Sequence, residues 1–492
     1  MHPVERYLTE LLHLHRLQAG TGELSAYPPL FALLTEIGQT LKPRVAAVGN
    51  LANVGAGHPD AGLFGERQQD EPIPERGVVE VKGPGVDVVA TVQGEQVARY
   101  LAVYRQVLVT NYWHFALVQR GADGQAELLE QMQLAADEAD FWRQAAHPRR
   151  LARQKGVQLA EFLQRVMLRP VAVSRPRDVA WFLASYARDA LARLGADTPP
   201  GLAAVRAALE EALGLTFEGE KGDRFFRSTL IQTLFYGVFS AWVLWHKENP
   251  ARQDRFDWRL SAYLLRVPVI QVLFEQLAAP SRLKALDLEE TLTWVGGVLN
   301  RVDRGDFFSH FEEGEAVQYF YEPFLEAFSP QLRRELGVWY TPPEVVAYMV
   351  ERVDTVLRTE LGKPDGLADP DVVVLDPACG TGAYLSAVLD RIARTVAEKG
   401  ETALAPALVK QAAVQRVFGF EILPAPYVIA HLQLGLRLQN AGAPLADGER
   451  AGIFLTNALT GWTPPEAPKQ RVLLPELAAD RDAAERVKQQ AK

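Results

Sequence analysis

The spacing of apolar positions changes character along this chain. Over the first 125 or so residues, helical spacing mixes with short β-rich runs: GVVEVKGP at 77–84, VDVVATV at 86–92 and QVLVTNYWHFALVQ at 106–119. Each of these predicts strand. The opening MHPVERYLTELLHLHR reads as an amphipathic helix. From about 126 to 330 the pattern is helical nearly throughout, with polar breaks HPRR at 147–150, TPPG at 198–201 and FEGEKGDR at 217–224. Beyond about 331 the two periods alternate: helix from Pro343 to Leu361, strand at 372–378, helix from Ala383 to Lys399, strand at 416–422, helix from Ala425 to Leu438. Strands that alternate with helices build parallel βαβ units. The expected fold is α/β and multidomain, with a mixed α/β domain over 1–125, an all-helical connector over 126–330 and a parallel α/β domain over 331–492.

Composition narrows the class. A chain of 492 residues exceeds one compact core, and 48% hydrophobic with 23% charged residues describes a folded protein rather than a disordered one. The single cysteine, Cys379, excludes a disulfide framework and a cysteine-based zinc site. One run, from Thr229 to Trp245, approaches a membrane span but is short and holds Gln232, Thr233 and Ser240, so a buried core helix is expected. With no signal-type run at the N-terminus, the expected location is the cytoplasm and no membrane is expected as partner. Net charge is 52 − 61 = −9, the wrong sign for a protein whose whole surface grips DNA. Between Arg143 and Arg193, however, eleven Lys and Arg face only Glu161, Asp178 and Asp189. Such a basic stripe is either a phosphate-contacting face or a solvated helical surface.

The sharpest chemistry lies in DVVVLDPACGTGAYLSAVLDRIA, residues 371–393. An apolar strand runs into Asp376, Pro377 and Ala378, then a turn with Gly380 and Gly382, then a helix. Glycines there let backbone approach a ligand, and the helix start offers free N–H groups. Neither G-x-G-x-x-G nor G-x-x-x-x-G-K-[ST] is present. At the end of the next strand, VFGFEI, Glu421 is placed to take both ribose hydroxyls of a nucleoside. The 45 residues between Asp376 and Glu421 require an added helix around 400–412.

The D-P-A-C-G-T-G string resembles motif I of amino-methyltransferases, the loop that holds S-adenosylmethionine, which implies a partial Rossmann-like methyltransferase fold. Gly337 to Pro343 (GVWYTPP) is similar to motif X, so Tyr340 and Thr341 are implied to close over the cofactor. The preceding YEPFL resembles the lead-in of type ISP and type IIG restriction–modification methylases. IFLTNALTG at 453–461 falls where motif III belongs, implying that Asn457 bonds the adenine ring. Such enzymes also carry [D/N]-P-P-[Y/F], whose polar group and aromatic ring hold a flipped base. No such tetrapeptide occurs in these 492 residues. Transfer is thus expected to need a second polypeptide, or a missing C-terminal part, supplying N-P-P-Y and target recognition; a truncated remnant stays open as an alternative. Adenine N6 is implied by the resemblance, and cytosine N4 chemistry shares the layout.

Near the N-terminus, GHPDAGLF and GVVEVKGPG place Asp60, Glu80 and Lys82 in a P-D…E-x-K arrangement. Residues 80 and 82 share a strand face and are expected to project toward Asp60 across a hairpin. Two carboxylates, Asp60 and Glu80, could hold Mg²⁺, and Lys82 could orient the attacking water. Gln96 and Tyr100 repeat the Q-x-x-x-Y pattern that accompanies PD-(D/E)xK nucleases, which this region resembles; a surface hairpin with an ion pair is the bland alternative. Nuclease, connector and methylase in that order is the type IIG arrangement. The expected function is a restriction–modification protein acting on double-stranded DNA, and a non-catalytic DNA-defence or scaffold subunit is the competing reading.

Overall fold

The computed structural model describes residues 2–490 apart from 18–23, 67, 69–72, 122–123, 170–172, 195–201, 214–215, 249, 252–253, 266–270, 272–273, 276–282, 284–285, 312–319, 330–340, 447 and 460–474. The chain forms two compact units, Met1–Val173 and Ser174–Lys492.

In the first unit, helices α1 (Pro3–Leu17) and α2 (Tyr27–Gly38) precede a six-stranded sheet. Its strands are β1 (Val45–Gly49), β2 (Ala61–Gly65), β3 (Val78–Val81), β4 (Val107–Thr110), β5 (His114–Arg120) and β6 (Ala126–Gln133), in that spatial order. Only β3 and β4 pair parallel; the crossover between them carries α3 (Val88–Val92) and α4 (Glu95–Val103). The expected strand at 86–92 is therefore a helix. Asp87 caps it, accepting from the Val89 and Ala90 amides at 2.8 and 3.3 Å, and a bonded N-cap outweighs the β-preference of adjacent valines. Val88 and Val92, one turn apart, enter the core with Val78, Val97, Tyr100 and Val109. The run at 106–119 divides into two strands because Asn111 Oδ1 accepts from the His114 amide at 2.8 Å and Tyr112 adopts φ 78°, which reverses the chain.

Helices α5 (Glu138–Ala145) and α6 (Pro148–Leu168) complete this unit. Buried Glu130 on β6 takes Arg165 at 3.1 Å and Arg169 at 3.3 Å, so the end of α6 and the residue after it are tied to the sheet. For that reason the compact unit runs past the expected boundary at 125, and β6 is strand where helix was expected.

The second unit begins with α7 (Pro176–Arg193), α8 (Ala203–Leu213), α9 (Gly219–Glu248), α10 (Ser261–Leu264), α11 (Glu289–Leu299), α12 (Arg304–His310) and α13 (Glu322–Phe328). By length and hydropathy α9 could cross a membrane, yet 94% of its apolar window is buried inside the protein. Aromatic stacking explains that: Phe239 lies on Phe320 at 3.4 Å, and Trp242 meets Phe307 and Phe308.

Then come α14 (Pro343–Thr359), β7 (Val374–Asp376), α15 (Ala383–Glu398), α16 (Ala405–Gln415), β8 (Val417–Glu421), α17 (Pro424–Asn440), β9 (Ile453–Leu455) and α18 (Pro475–Gln490). The three strands are parallel in the order β7-β8-β9. The helix expected around 400–412 is α16. At Gly419 a Cβ would stand 2.6 Å from Leu385 and 2.9 Å from the Cys379 sulfur, so only glycine lets α15 and its lead-in loop lie against β8.

Candidate functional site

The register Val374↔Val417, Leu375↔Phe418, Asp376↔Gly419 brings the ends of β7 and β8 together. From β7 the chain enters a tight loop. The Cys379 amide donates to the Phe420 carbonyl at 2.9 Å, and the Gly382 amide donates to the Cys379 carbonyl at 2.8 Å. Gly380 has φ 57° and Gly382 has φ 88°, conformations that a side chain at Cβ disfavours. Gly382 is the N-cap of α15 and offers no side-chain cap, leaving the first amides of α15 for an outside acceptor.

Two carboxylates frame this loop. Asp376 Oδ1 accepts from the Ala378 amide at 3.1 Å, while Oδ2 is buried and meets no partner within the protein. Burial pushes the Asp376 carboxyl above its ordinary value, and the Ala378 bond opposes this in part. Glu421, buried at the end of β8, accepts from the Gly380 amide through Oε2 at 2.8 Å and from the Leu423 amide through Oε1 at 2.7 Å. Its carboxyl too is raised by burial, against the pull of those amides. One side chain thus ties the loop after β7 to the start of α17.

Asp376, Pro377, Ala378, Gly380, Gly382 and Glu421 therefore gather at one sheet end. Half-buried Thr341 precedes Pro342, the N-cap of α14; Tyr340 lies outside the described residues. Asn457 comes just after β9, one strand beyond Glu421. Its Oδ1 accepts from the Leu459 amide at 3.0 Å and its carbonyl from Lys488 Nζ at 2.8 Å, so it already serves its own turn. Nothing in the local pattern signalled Lys488, which arrives from α18.

In the first unit, β2 and β3 pair antiparallel with Ala61 opposite Val79, and continuing that register sets Asp60 opposite Glu80. Asp60 Oδ2 accepts from the Val81 amide at 2.7 Å and Oδ1 from the Tyr27 hydroxyl at 2.7 Å. Lys82 Nζ donates to Glu80 Oε1 at 2.5 Å and to Gln96 Oε1 at 3.2 Å. Gln96 in turn donates to the Tyr100 hydroxyl at 3.0 Å, which donates to the His58 carbonyl at 3.0 Å. This relay orients the Gln96 amide with its oxygen toward Lys82. The structure thus brings Asp60, Glu80, Lys82 and Gln96 together. Tyr27 was missed, because no periodicity links it to a carboxylate 33 residues away.

The electrostatics single out Glu80. Burial raises its carboxyl, Lys82 pulls it down, and the nearby Asp60 charge raises it again. Its Oε2 makes no hydrogen bond of good geometry within the protein, although the Tyr100 hydroxyl lies close enough to pull the carboxyl down. Burial also pushes the Tyr100 phenol up to about 12, with Glu80 adding to the rise. Among the described residues no group of three or more His, Cys, Asp or Glu gathers as a metal cluster.

A raised carboxyl has a stability signature. If the folded value lies above the unfolded one, Glu80 contributes most at acidic pH and loses that contribution as pH rises through the folded value. Glu80→Gln is therefore expected to stabilise the protein at pH 7–8 by on the order of 1 kcal/mol, and the gain should vanish toward the ordinary carboxylate range. Urea midpoints across pH test this; a variant less stable at neutral pH contradicts it.

The family match to known proteins falls on the second unit. Residues 313–448 match the family profile described as N-6 DNA Methylase, a stretch that includes β7, the glycine loop, β8 and Glu421. No curated protein matches. Among solved structures, the chain is similar to the DrdV–DNA complex at 20% identity and TM-score 0.41, covering 99% of this chain and 42% of that one. It is also similar to the ATP-dependent Type ISP restriction-modification enzyme LlaBIII bound to DNA, at 20% identity and TM-score 0.43, covering 63% of this chain and 19% of that one. A nuclease-deletion mutant of the Type ISP enzyme LlaGI, in complex with a DNA substrate mimic, gives 19% identity, TM-score 0.41 and coverage of 67% and 24%. The chain spans less than half the length of each of these structures. On its 313–448 segment, which holds the loop and its two carboxylates, this multidomain α/β chain is similar to the N-6 DNA methylases.

Proposed function

We propose that this chain is the S-adenosylmethionine-binding part of a site-specific adenine DNA methyltransferase, joined to a Mg²⁺-dependent nuclease domain. The observation that carries the reading is the loop after β7: two left-handed glycines leading onto an uncapped helix, between a buried carboxylate oxygen without a partner and a glutamate at the neighbouring strand end.

That arrangement fits the cofactor. S-adenosylmethionine, when bound, supplies a methyl group activated by a positive sulfonium. Asp376 offers negative charge from a buried oxygen, and Gly380 has open space where a Cβ would stand. Glu421 accepts from the Gly380 and Leu423 amides, and the Ile422 amide also pulls on its carboxyl; a carboxylate has about four acceptor sites, which leaves room for a ribose hydroxyl. Thr341 and Tyr340 would close the pocket and Asn457 would face the adenine. Transfer to DNA further needs a [D/N]-P-P-[Y/F] element, absent from residues 1–492, which a second chain or further C-terminal sequence would supply.

The nuclease reading rests on Glu80. Mg²⁺, when bound, supplies positive charge to a phosphodiester. Asp60 and Glu80 are hard oxygen donors suited to it, and Glu80, buried beside the Asp60 charge, is the carboxylate that would gain most. Asp60 is held in place by Tyr27 and Val81. Lys82, steered by Gln96, would orient water.

Equilibrium dialysis with labelled S-adenosylmethionine tests the first part. Because burial raises both Asp376 and Glu421, protonation begins above the ordinary carboxylate range, and retention should fall from pH 7.5 to pH 5.5. Asp376→Asn should lose retention by tenfold or more at both, about 1.4 kcal/mol. Equal retention by that variant defeats the reading. For the second part, nicking of supercoiled plasmid should require Mg²⁺ and drop at least a hundredfold in Lys82→Ala; undiminished nicking by Lys82→Ala removes the nuclease assignment.

A further inference from the structure

The basic stripe of residues 143–193 is not one surface. Arg165 and Arg169 are buried on Glu130, Arg188 donates to the Ala327 carbonyl, and Arg193 pairs with Asp189 and Asp287. Arg143, Arg149, Arg150 and Arg153 behave differently. All are exposed around the corner between α5 and α6, where two adjoining clefts share His147, Arg150 and Gln154.

Counter-charges there are few. Asp140 pairs with Arg143, and Glu5 with Arg149 at 3.0 Å, both arginines being highly exposed; such pairs are worth little. Among the described residues Arg150 and Arg153 have no ion pair.

The placement also breaks a rule of helix electrostatics. The start of a helix carries partial positive charge and favours acidic side chains. Helix α6 has none in its first turn, has no side-chain cap at His147, and opens instead with Arg149, Arg150 and, one turn on, Arg153. By contrast α5 starts with Asp137 as a bonded cap and with Glu138 and Asp140. A local violation that costs stability without an internal gain marks a functional surface.

We propose that this α5–α6 corner binds the sugar–phosphate backbone of duplex DNA, with Arg150 and Arg153 as the principal contacts. Phosphates supply the negative charge that the helix start and the unpaired guanidiniums lack, and exposed arginines match phosphate oxygens bidentately. On a chain of net charge −9, such a corner fixes which face approaches the duplex. The inference rests on the DNA-directed function proposed above and adds the surface that positions the nuclease unit.

Fluorescence anisotropy with a short labelled duplex, in EDTA to prevent cleavage, tests it on the full chain between about 50 and 200 mM KCl. The double variant Arg150→Ala/Arg153→Ala should flatten the slope of log affinity against log salt by about 2, near 0.9 for each lost phosphate contact. The control Arg175→Ala/Arg177→Ala should keep the wild-type slope. The thermal midpoint of the double variant should stay level or rise, since like charge is removed from the start of α6; a residue with a merely structural role would lower it. If wild type binds duplex and the double variant keeps its slope, the corner is not the contact and the functional reading stands. If wild type binds no duplex at low salt, the DNA-directed reading itself fails.

Discussion

Most of the candidate cofactor site depends on one buried carboxylate. Glu421 stands at the end of the central strand β8 and reaches two amides at once, Gly380 in the loop after β7 and Leu423 before α17. Bonds from amides to a charged acceptor are among the stronger hydrogen bonds in proteins. Here they offset a burial cost that still leaves the carboxyl raised. Without that bridge, the Gly380 amide would keep no tie to β8. With it, the loop is shaped before any ligand arrives, and little ordering is left for binding to do. Cys379 adds a backbone tie to Phe420, and Gly419 removes the side chain that would hold α15 away from the sheet.

The same logic, with different parts, organises the first unit. Asp60 is clamped between a phenol and a backbone amide, and Lys82 is aimed by a chain of donors that ends on the His58 carbonyl. The turn between β4 and β5 reinforces this: Trp113 Nε1 donates to the Pro84 carbonyl at 2.9 Å and Asn111 to that of Val86 at 2.9 Å. These bonds fix the segment that leaves Lys82. The electrostatic cost falls on Glu80, which is buried beside Asp60 and keeps a raised carboxyl despite its pairing with Lys82. Functional sites commonly hold such destabilised groups on a rigid frame.

How far these features could be read from the sequence depended on their range. The glycine loop was legible because an apolar strand, an Asp-Pro start and two glycines lie within a dozen residues. Glu421 was legible because a second strand of helix–strand alternation had to end somewhere near it. Three other features were not. VDVVATV reads as strand by composition, yet the Asp87 cap and the one-turn spacing of Val88 and Val92 make it a helix. The sheet continues through β6 because Glu130 must meet Arg165 and Arg169, a triad spread over 40 residues. Tyr27 and Lys488 reach their sites from distant helices, and no local period reports that. The arginines of the 143–193 stripe carried one signal in the sequence and sort into buried, paired and free only in the fold.

If Glu421 shapes the Gly380–Gly382 loop for the proposed S-adenosylmethionine, hydrogen exchange at the Gly380 amide reports it directly. With saturating S-adenosylmethionine, exchange at Gly380 and at the first amides of α15 should slow at least tenfold in the wild-type chain. In Glu421→Gln the free protein should already exchange faster at Gly380, and added cofactor should protect it less. Exchange at these amides that is unchanged by the cofactor in a folded wild-type sample would contradict the account.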